Sequence, residues 1–112
     1  MKKIEAIIRP AKTGDVCDAL NKIGHPGIMI TEIEGHGKQK GLEQRFRDKT
    51  YRTEFLSKAK LELIVSDADV EKIAGAIRQA AFTGNVGDGK IFVYPVDDAI
   101  RIRTAEQGEV AV

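Results

Sequence analysis

Hydrophobic residues follow two different spacings along this chain, and the spacings predict strands and helices in a definite order. Short apolar or alternating runs predict four strands, at residues 4–8, 28–33, 59–65 and 91–96. Helical spacing predicts one helix over residues 15–24, with Gly24 at its C-cap. A second predicted helix follows a possible capping box formed by Ser66 and Asp69, and its apolar face carries Val70, Ile73, Ala74, Ile77 and Ala81.

Residues 35–55 show no sustained periodicity and therefore predict a long loop, which in a compact domain is usually functional or disordered. The predicted order is β-α-β, long loop, β-α-β. That order favours an α+β fold, a ferredoxin-like split βαβ sandwich with an antiparallel sheet and both helices on one face. The strands carry more apolar surface than two short helices can bury, which predicts self-association through Ile7, Ile30, Ile33, Ile64 and Ile91.

Composition excludes several classes of protein. The chain has 112 residues, with 18 Lys and Arg against 17 Asp and Glu, so no overall field attracts it to nucleic acid or membrane. Its single cysteine, Cys17, excludes an intrachain disulfide or a CxxC metal site. No apolar run reaches membrane-spanning length, and the start lacks a signal-peptide pattern. We therefore expect one cytoplasmic domain.

The most informative segment is TGNVGDGKIF at residues 83–92. Gly84, Gly87 and Gly89 permit positive φ and close approach to a ligand, and Lys90 adds a positive charge at the edge of the loop. These features predict a phosphate cradle. The alternative, equally compatible with the residues alone, is a helix C-cap at Gly84 followed by an Asp-Gly turn into a strand.

Further segments carry a resemblance to a known family. TGNVGDGKIF is followed, eleven residues after Lys90, by Arg101-Ile102-Arg103 within IRIRT. Upstream stand GHGKQKG at residues 35–41 and the opening MKKI. Together these segments resemble the nitrogen-regulatory PII signalling proteins, from the first residue to the C-terminus without an apparent gap.

The resemblance implies a homotrimer built from a single PII-like domain over residues 1–112. It implies a mobile T-loop at about residues 37–55, a B-loop at about 83–90 and a C-loop at about 100–112. ATP or ADP would bind in the clefts between subunits. The residues expected at the nucleotide are Ile7, Met29, Gly35, Gly37, Lys38, Gln39, Ile64, Gly87, Asp88, Gly89, Lys90, Arg101 and Arg103.

The two C-terminal arginines fit this expectation if they lie on an extended segment, because residues two apart then point to one side. Two guanidinium forks and the Lys90 ammonium suit a polyphosphate. Without the glycine loop, Arg101 and Arg103 would be interpreted as a solvated strand face. Ile7, Met29 and Ile64 are equally compatible with ordinary core positions.

The resemblance also implies binding of 2-oxoglutarate beside ATP through a Mg2+ ion. Gln39 would be a metal ligand through its side-chain oxygen, an acceptable donor for Mg2+. Lys58 would pair with an oxoglutarate carboxylate. Backbone donors would come from Gln39, Lys40, Gly41 and Gly87. The alternative for Lys58 is a solvent-facing residue before a strand, and for Gln39 a plain loop residue.

The sequence departs from the family pattern at two places. Lys38 stands where arginine is commonest, so the charge stays but the bidentate geometry is lost. We therefore expect weaker discrimination between ATP and ADP. Tyr51 stands where many relatives are uridylylated, but the neighbouring glycine and acidic residue are missing. Tyr51 is therefore either a modification site or an exposed tyrosine that contacts a partner.

The leading hypothesis is a non-catalytic signal-transduction protein that senses ATP or ADP and 2-oxoglutarate and regulates nitrogen metabolism. Its partners would be an ammonium transporter and nitrogen-regulatory enzymes, contacted through the T-loop; it would meet a membrane only through a channel partner. One alternative is a PII-like sensor of another small anion or nucleotide. Another is a slow ATP-hydrolysing enzyme, for which the chain offers no clear general base. RNA binding ranks last because the predicted central strands lack aromatic residues for stacking.

Overall fold

A computed structural model describes residues 1–25, 27–37, 43–46, 49–52 and 54–112, with side chains described outside residues 34–56. The main sheet contains β1 (Lys2–Ile8), β2 (Met29–Gly37), β5 (Glu54–Val65) and β6 (Lys90–Pro95). A separate two-stranded sheet contains β3 (Glu43–Phe46) and β4 (Lys49–Arg52). The helices are α1 (Thr13–Lys22) and α2 (Val70–Ala81).

The four strands of the main sheet are antiparallel and lie in the order β2-β5-β1-β6. The two helices pack against each other, and their buried residues join those of the sheet in one core. This arrangement confirms the predicted ferredoxin-like fold with both helices on one face.

The core forms because strand and helix periodicities direct apolar side chains to the same layer. Alternate residues of β1 and β5 are buried, and they meet helix residues spaced four apart. The largest fully buried side chains are Ile4, Ile8, Leu20, Leu61, Ile73, Ile77, Val16 and Val65. No charged or polar side chain is buried among the residues whose side chains are described.

The opposite face of the sheet carries charge at its centre. Lys3 Nζ lies 3.0 Å from a carboxylate oxygen of Glu62 and 3.4 Å from one of Glu5. Lys60 Nζ lies 3.3 Å from Glu62 as well. The pKa of Glu62 is lowered, chiefly by its hydrogen bond with Lys3 and then by that with Lys60. An apolar partner covering this face would therefore bury paired charges, not bare ones.

The pairing register corrects part of the expectation for this face. Ile7, Ile33 and Ile64 oppose residues of the charged face and so share it, as predicted. Ile91 opposes the core residue Ala6 and packs against the core, while Ile30 opposes Leu61 on the helix side. The apolar surface away from the helices therefore lacks Ile30 and Ile91, but it includes Met29, Phe92 and Tyr94, which oppose residues of the charged face.

The helices begin at other residues than predicted, and the predicted cap of α2 does not form. Helix α1 starts at Thr13, after a short 3-10 turn over Pro10–Lys12, and Gly24 follows its end with φ +83°. The capping box at α2 was wrong: the Ser66 hydroxyl donates to the Asp69 carboxylate at 3.1 Å instead of capping a backbone amide. A 3-10 turn over Asp67–Asp69 lies between Ser66 and the helix.

The long loop predicted for residues 35–55 was wrong in part, because strands occupy much of it. Strands β2 and β5 continue their ladder as far as the pair Gly37 and Glu54. Strands β3 and β4 pair within the same segment. The segment shows no alternation of apolar and polar residues, and its two-stranded ribbon lies outside the main sheet, so the periodicity that identified the other strands did not identify this one.

Replacing Ile77 by alanine should destabilise the protein by about 2–5 kcal/mol, because the fully buried side chain leaves a cavity between α2 and the sheet. Urea unfolding at a fixed protein concentration measures the loss. Ile102→Ala is the matched control, since Ile102 is fully exposed and its truncation should cost almost nothing. Equal effects of the two substitutions would contradict the described core.

Candidate functional site

The glycine-rich segment after α2 is organised by one carboxylate. Asp88 accepts hydrogen bonds from the backbone amides of Thr83 and Gly84, each at 2.9 Å, and from the Thr83 hydroxyl. The Thr83 hydroxyl oxygen in turn accepts from the Asn85 amide at 3.2 Å. The loop is therefore closed on itself before any ligand binds.

The same contacts change the titration of the carboxyl. The Thr83 hydroxyl, then the Thr83 and Gly84 amides and the Arg9 guanidinium, hold the pKa of Asp88 well below its ordinary value of 3.8. A lowered pKa in the folded state means that these contacts stabilise the loop above pH 3.8 and are lost as the pH falls towards the folded-state value.

Two basic side chains attach the loop to the sheet. Arg9, just after β1, has its Nε 3.2 Å from Asp88 Oδ1 and donates from Nη2 to the Val86 carbonyl at 2.8 Å. Lys58 of β5 donates from Nζ to the Gly87 carbonyl. The loop is thus held from both central strands of the sheet.

These two contacts determine which way the loop directs its backbone donors. The described peptide bonds are trans and planar, so a carbonyl and the following amide point in opposite directions. The Gly87 amide therefore points away from Arg9, and the Asp88 amide points away from Lys58. Each of these two N–H groups thus points away from the cation that holds the preceding carbonyl.

The three loop glycines all have positive φ, at +88° for Gly84, +102° for Gly87 and +100° for Gly89. The C-cap alternative for Gly84 is not the one found, because α2 ends at Ala81 with Phe82 as its C-cap. The close approach at Gly89 is to protein: a Cβ there would overlap the Ile7 carbonyl oxygen and lie 2.8 Å from its carbonyl carbon. Gly89 therefore seats the loop on β1.

The expectation that Arg101 and Arg103 share one side of an extended segment was wrong. Residues 102–104 form a turn, and Ile100 pairs with Gln107 across it. Ala105 takes φ +61° at the close of the turn. Arg101 is half-buried inside this turn, whereas Arg103 is exposed. The alternating Arg-Ile-Arg pattern suggested a strand. The turn could not be read from that pattern, because the contacts that close it come from residues further along the tail.

The structure divides the three predicted base-pocket residues between two places. Ile7 lies in β1 opposite Lys90, so it belongs beside the glycine loop. Met29 and Ile64 line a cavity of about 560 Å³ at the other end of the sheet. The C-terminal residues Glu109 and Val112 line the same cavity.

The remaining predicted site residues lie in or near the segment whose side chains are not described. Gly35 and Gly37 pair with Leu56 and Glu54 in the β2–β5 ladder. Tyr51 lies in β4 opposite Gln44. The predictions for Lys38, Gln39, Lys40 and Gly41 fall outside the described residues.

Sequence reasoning missed residues that organise the site without being expected to touch a ligand. Arg9 could have been noticed, because it is a lone arginine at the end of a buried strand, directly before Pro10. Its role could not be predicted, because its partners lie 77 and 79 residues away in the sequence. Thr83 was named only as the start of the motif. Across the described residues, no group of three or more His, Cys, Asp or Glu side chains could hold a metal ion.

The fold and loop define a class: a small ferredoxin-like domain whose glycine loop is held against the two central strands of its sheet. The sequence matches the family model described as Nitrogen regulatory protein P-II over residues 1–106. The chain belongs to this family, and its role is therefore regulatory, in signal transduction of nitrogen metabolism. Among the helices that the structure describes, none is long and apolar enough to cross a bilayer.

Individual relatives agree over the whole length. The chain is 54% identical to the Nitrogen regulatory protein P-II of Rhodospirillum rubrum and 50% identical to that of Azospirillum brasilense, in both cases over all 112 residues and the full relative. A solved structure of Arabidopsis thaliana PII bound to citrate superposes with a TM-score of 0.81 at 41% identity. The match covers 99% of this chain and 91% of that one.

Replacing Gly89 by alanine should destabilise the protein far more than replacing Gly84. Both positions share a positive φ, which costs alanine about 1–2 kcal/mol. A Cβ on Gly84 meets only the Phe82 ring at 3.4 Å, whereas one on Gly89 collides with the β1 backbone. Urea unfolding of the two variants at equal protein concentration isolates the collision, and similar losses would contradict the seating of the loop on β1.

Proposed function

We propose that this protein is a non-catalytic sensor that binds ATP or ADP at the glycine loop and 2-oxoglutarate beside it. The observation that carries this proposal is the loop geometry. Arg9 and Lys58 each hold a loop carbonyl, the amides of residues 87 and 88 each point away from the cation that holds the preceding carbonyl, and Lys90 follows at the start of β6. Such a loop provides oriented donors to an anion without an ordering cost at binding.

The nucleotide phosphates would be held by Gly87, Asp88, Gly89 and Lys90 of one subunit. Asp88 would contribute its amide, because its carboxylate already accepts hydrogen bonds from the loop and faces Arg9. Arg101 and Arg103 of a neighbouring copy in a homotrimer would complete the phosphate site. Gly35, Gly37, Lys38, Gln39, Ile7, Met29 and Ile64 would surround the rest of the nucleotide.

The carboxylate effector would bind at Lys58. This ammonium already lies against the loop, since it donates to the Gly87 carbonyl, and it retains further donors for an anion. When bound, Mg2+ would supply a cationic bridge between nucleotide and effector, with Gln39 as its protein ligand and Lys40 and Gly41 contributing backbone donors. The citrate in the related Arabidopsis thaliana PII structure supports recognition of a small polycarboxylate.

The output of the sensor would be the segment of about residues 37–55, the T-loop, which begins where the β2–β5 ladder ends. Effectors would change the population of its conformations only through different affinities for them. The partners would be an ammonium transporter and nitrogen-assimilation enzymes in the cytoplasm. Tyr51 in β4 would be the site of uridylylation.

Lys90→Ala and Arg103→Ala should each weaken ATP binding at least tenfold, because each removes a charge-assisted contact to phosphate worth about 1.5–3 kcal/mol. Isothermal titration calorimetry with ATP, ADP and AMP measures the affinities. Tyr51→Phe is the control and should bind as the wild type does. Wild-type affinity in both alanine variants would refute the phosphate site, and a wild type that ignores all adenine nucleotides would refute the proposal.

Lys58→Met should lower the affinity for 2-oxoglutarate at least tenfold when Mg2+ and ATP are saturating, because the carboxylate loses its cationic donor. Lys60→Met is the matched control, since Lys60 lies two residues further along the same strand and face and pairs with Glu62. Calorimetric titration of 2-oxoglutarate into both variants makes the comparison. An unchanged affinity in Lys58→Met would exclude Lys58 from the effector site.

A further inference from the structure

The C-terminal tail folds into a closed turn around Arg101. The Arg101 amide donates to the Glu106 carbonyl at 2.9 Å, and the Ala105 amide donates to the Arg101 carbonyl at 2.8 Å. The Ile100–Gln107 bridge closes the turn. The turn is therefore held by its own backbone, independently of the arginine side chain.

The Arg101 side chain is already occupied at both ends of its fork. Its Nη1 lies 2.7 Å from Glu106 Oε1, and its Nη2 donates to the Val110 carbonyl at 2.8 Å. The Thr104 hydroxyl donates to the same Glu106 oxygen at 2.7 Å and so fixes the carboxylate in place. The carboxylate is thus the anionic partner of Nη1, while a backbone carbonyl holds the other end of the fork.

Arg103 differs from Arg101 in this respect. It is exposed, and within the described part of the chain no ion pair or side-chain hydrogen bond engages it. An incoming phosphate would meet Arg103 directly, but it would meet Arg101 already paired. The two arginines, which the sequence presents as equivalent, therefore make different demands on an anionic ligand.

We infer that Glu106 is an internal competitor of the nucleotide phosphates for Arg101 and thereby sets the affinity of the site. This inference rests on the proposed nucleotide function. A phosphate that takes the Nη1 hydrogen now accepted by Glu106 must separate the pair, so the observed affinity is lower than the one Arg101 would give unpaired. The guanidinium has further N–H donors, so the competition is for this one hydrogen and for the positive charge that attracts both anions.

The size of the effect follows from the exposure of the pair. The side chains of Arg101 and Glu106 are 38% and 40% exposed, so the pair is largely hydrated and screened. Exposed ion pairs favour the paired side chains over the separated ones by a factor of about two to five. Removing the charge of Glu106 should tighten nucleotide binding by about the same factor.

Glu106→Gln tests the competition, because the amide keeps the size and an acceptor oxygen but loses the charge. Calorimetry with ATP at fixed, low salt should show binding about two- to fivefold tighter than in the wild type. Glu109→Gln is the matched control: it removes the same charge from an exposed position on the same tail, and it should change the affinity much less.

Glu106→Asp distinguishes direct competition from a general negative field. The shorter side chain keeps the charge but no longer reaches Arg101 in the same geometry, so direct competition predicts tighter ATP binding in this variant also. If Glu106→Gln and Glu109→Gln tighten binding equally while Glu106→Asp does not, the effect is long-range and the inference is wrong.

The results of these titrations distinguish failure of the Glu106 competition from failure of the proposed nucleotide binding. If the wild type binds ATP and Glu106→Gln binds it equally or more weakly, Glu106 is at most a positioning residue for Arg101, and only the competition is overturned. If the wild type binds no adenine nucleotide at millimolar concentration, the proposed nucleotide function is refuted and the inference falls with it.

Discussion

The arrangement of the site depends on the Asp88 carboxylate. Asp88 accepts hydrogen bonds from the amides of Thr83 and Gly84 at the start of the loop, and it forms an ion pair with Arg9. Ordering a glycine-rich segment costs much backbone entropy, and three glycines held in fixed conformations make that cost large. The contacts of Asp88 offset this cost. Because one carboxylate accepts several hydrogen bonds at once, the loop is ordered by the protein alone.

The loop is also attached to the most rigid part of the molecule. Strands β1 and β5 are the central pair of the sheet, and each contributes one basic residue to a loop carbonyl. Gly89 brings the loop backbone directly against the Ile7 carbonyl. The position of the donor groups is therefore inherited from the sheet, which is what a selective anion site requires.

Much of the fold could be predicted from the sequence because its core obeys simple periodicities. Ile4 and Ile8 alternate into the core from β1, and Ile73 and Ile77 meet them from one helix face. The ribbon of β3 and β4 could not be predicted, because residues 43–52 show no alternation of apolar and polar positions. The turn at Arg101 was missed because its closure depends on backbone hydrogen bonds from Arg101 to residues 105 and 106 and on a positive φ at Ala105, neither of which a local pattern reports.

For the site, composition and motif indicated where an anion would bind but not how the loop is built. Gly84, Gly87 and Gly89 do adopt positive φ, as their residue type suggested. Spacing could not show that Gly89 approaches β1, or that Lys58 lies against Gly87, since these contacts join distant parts of the chain. Such pairings are determined by sheet order and register, which a single sequence does not specify.

Strand β6 has a consequence for how the protein behaves when it is prepared and concentrated. In the part of the chain that the structure describes, it lies at the border of the sheet and pairs with β1 alone, and Phe92, Val93 and Tyr94 are each more than 40% exposed. A row of unsatisfied peptide groups flanked by aromatic side chains is a template for intermolecular strand pairing. Isolated chains should therefore precipitate more readily than chains whose borders are covered, so colloidal stability would report on whether that border is occupied.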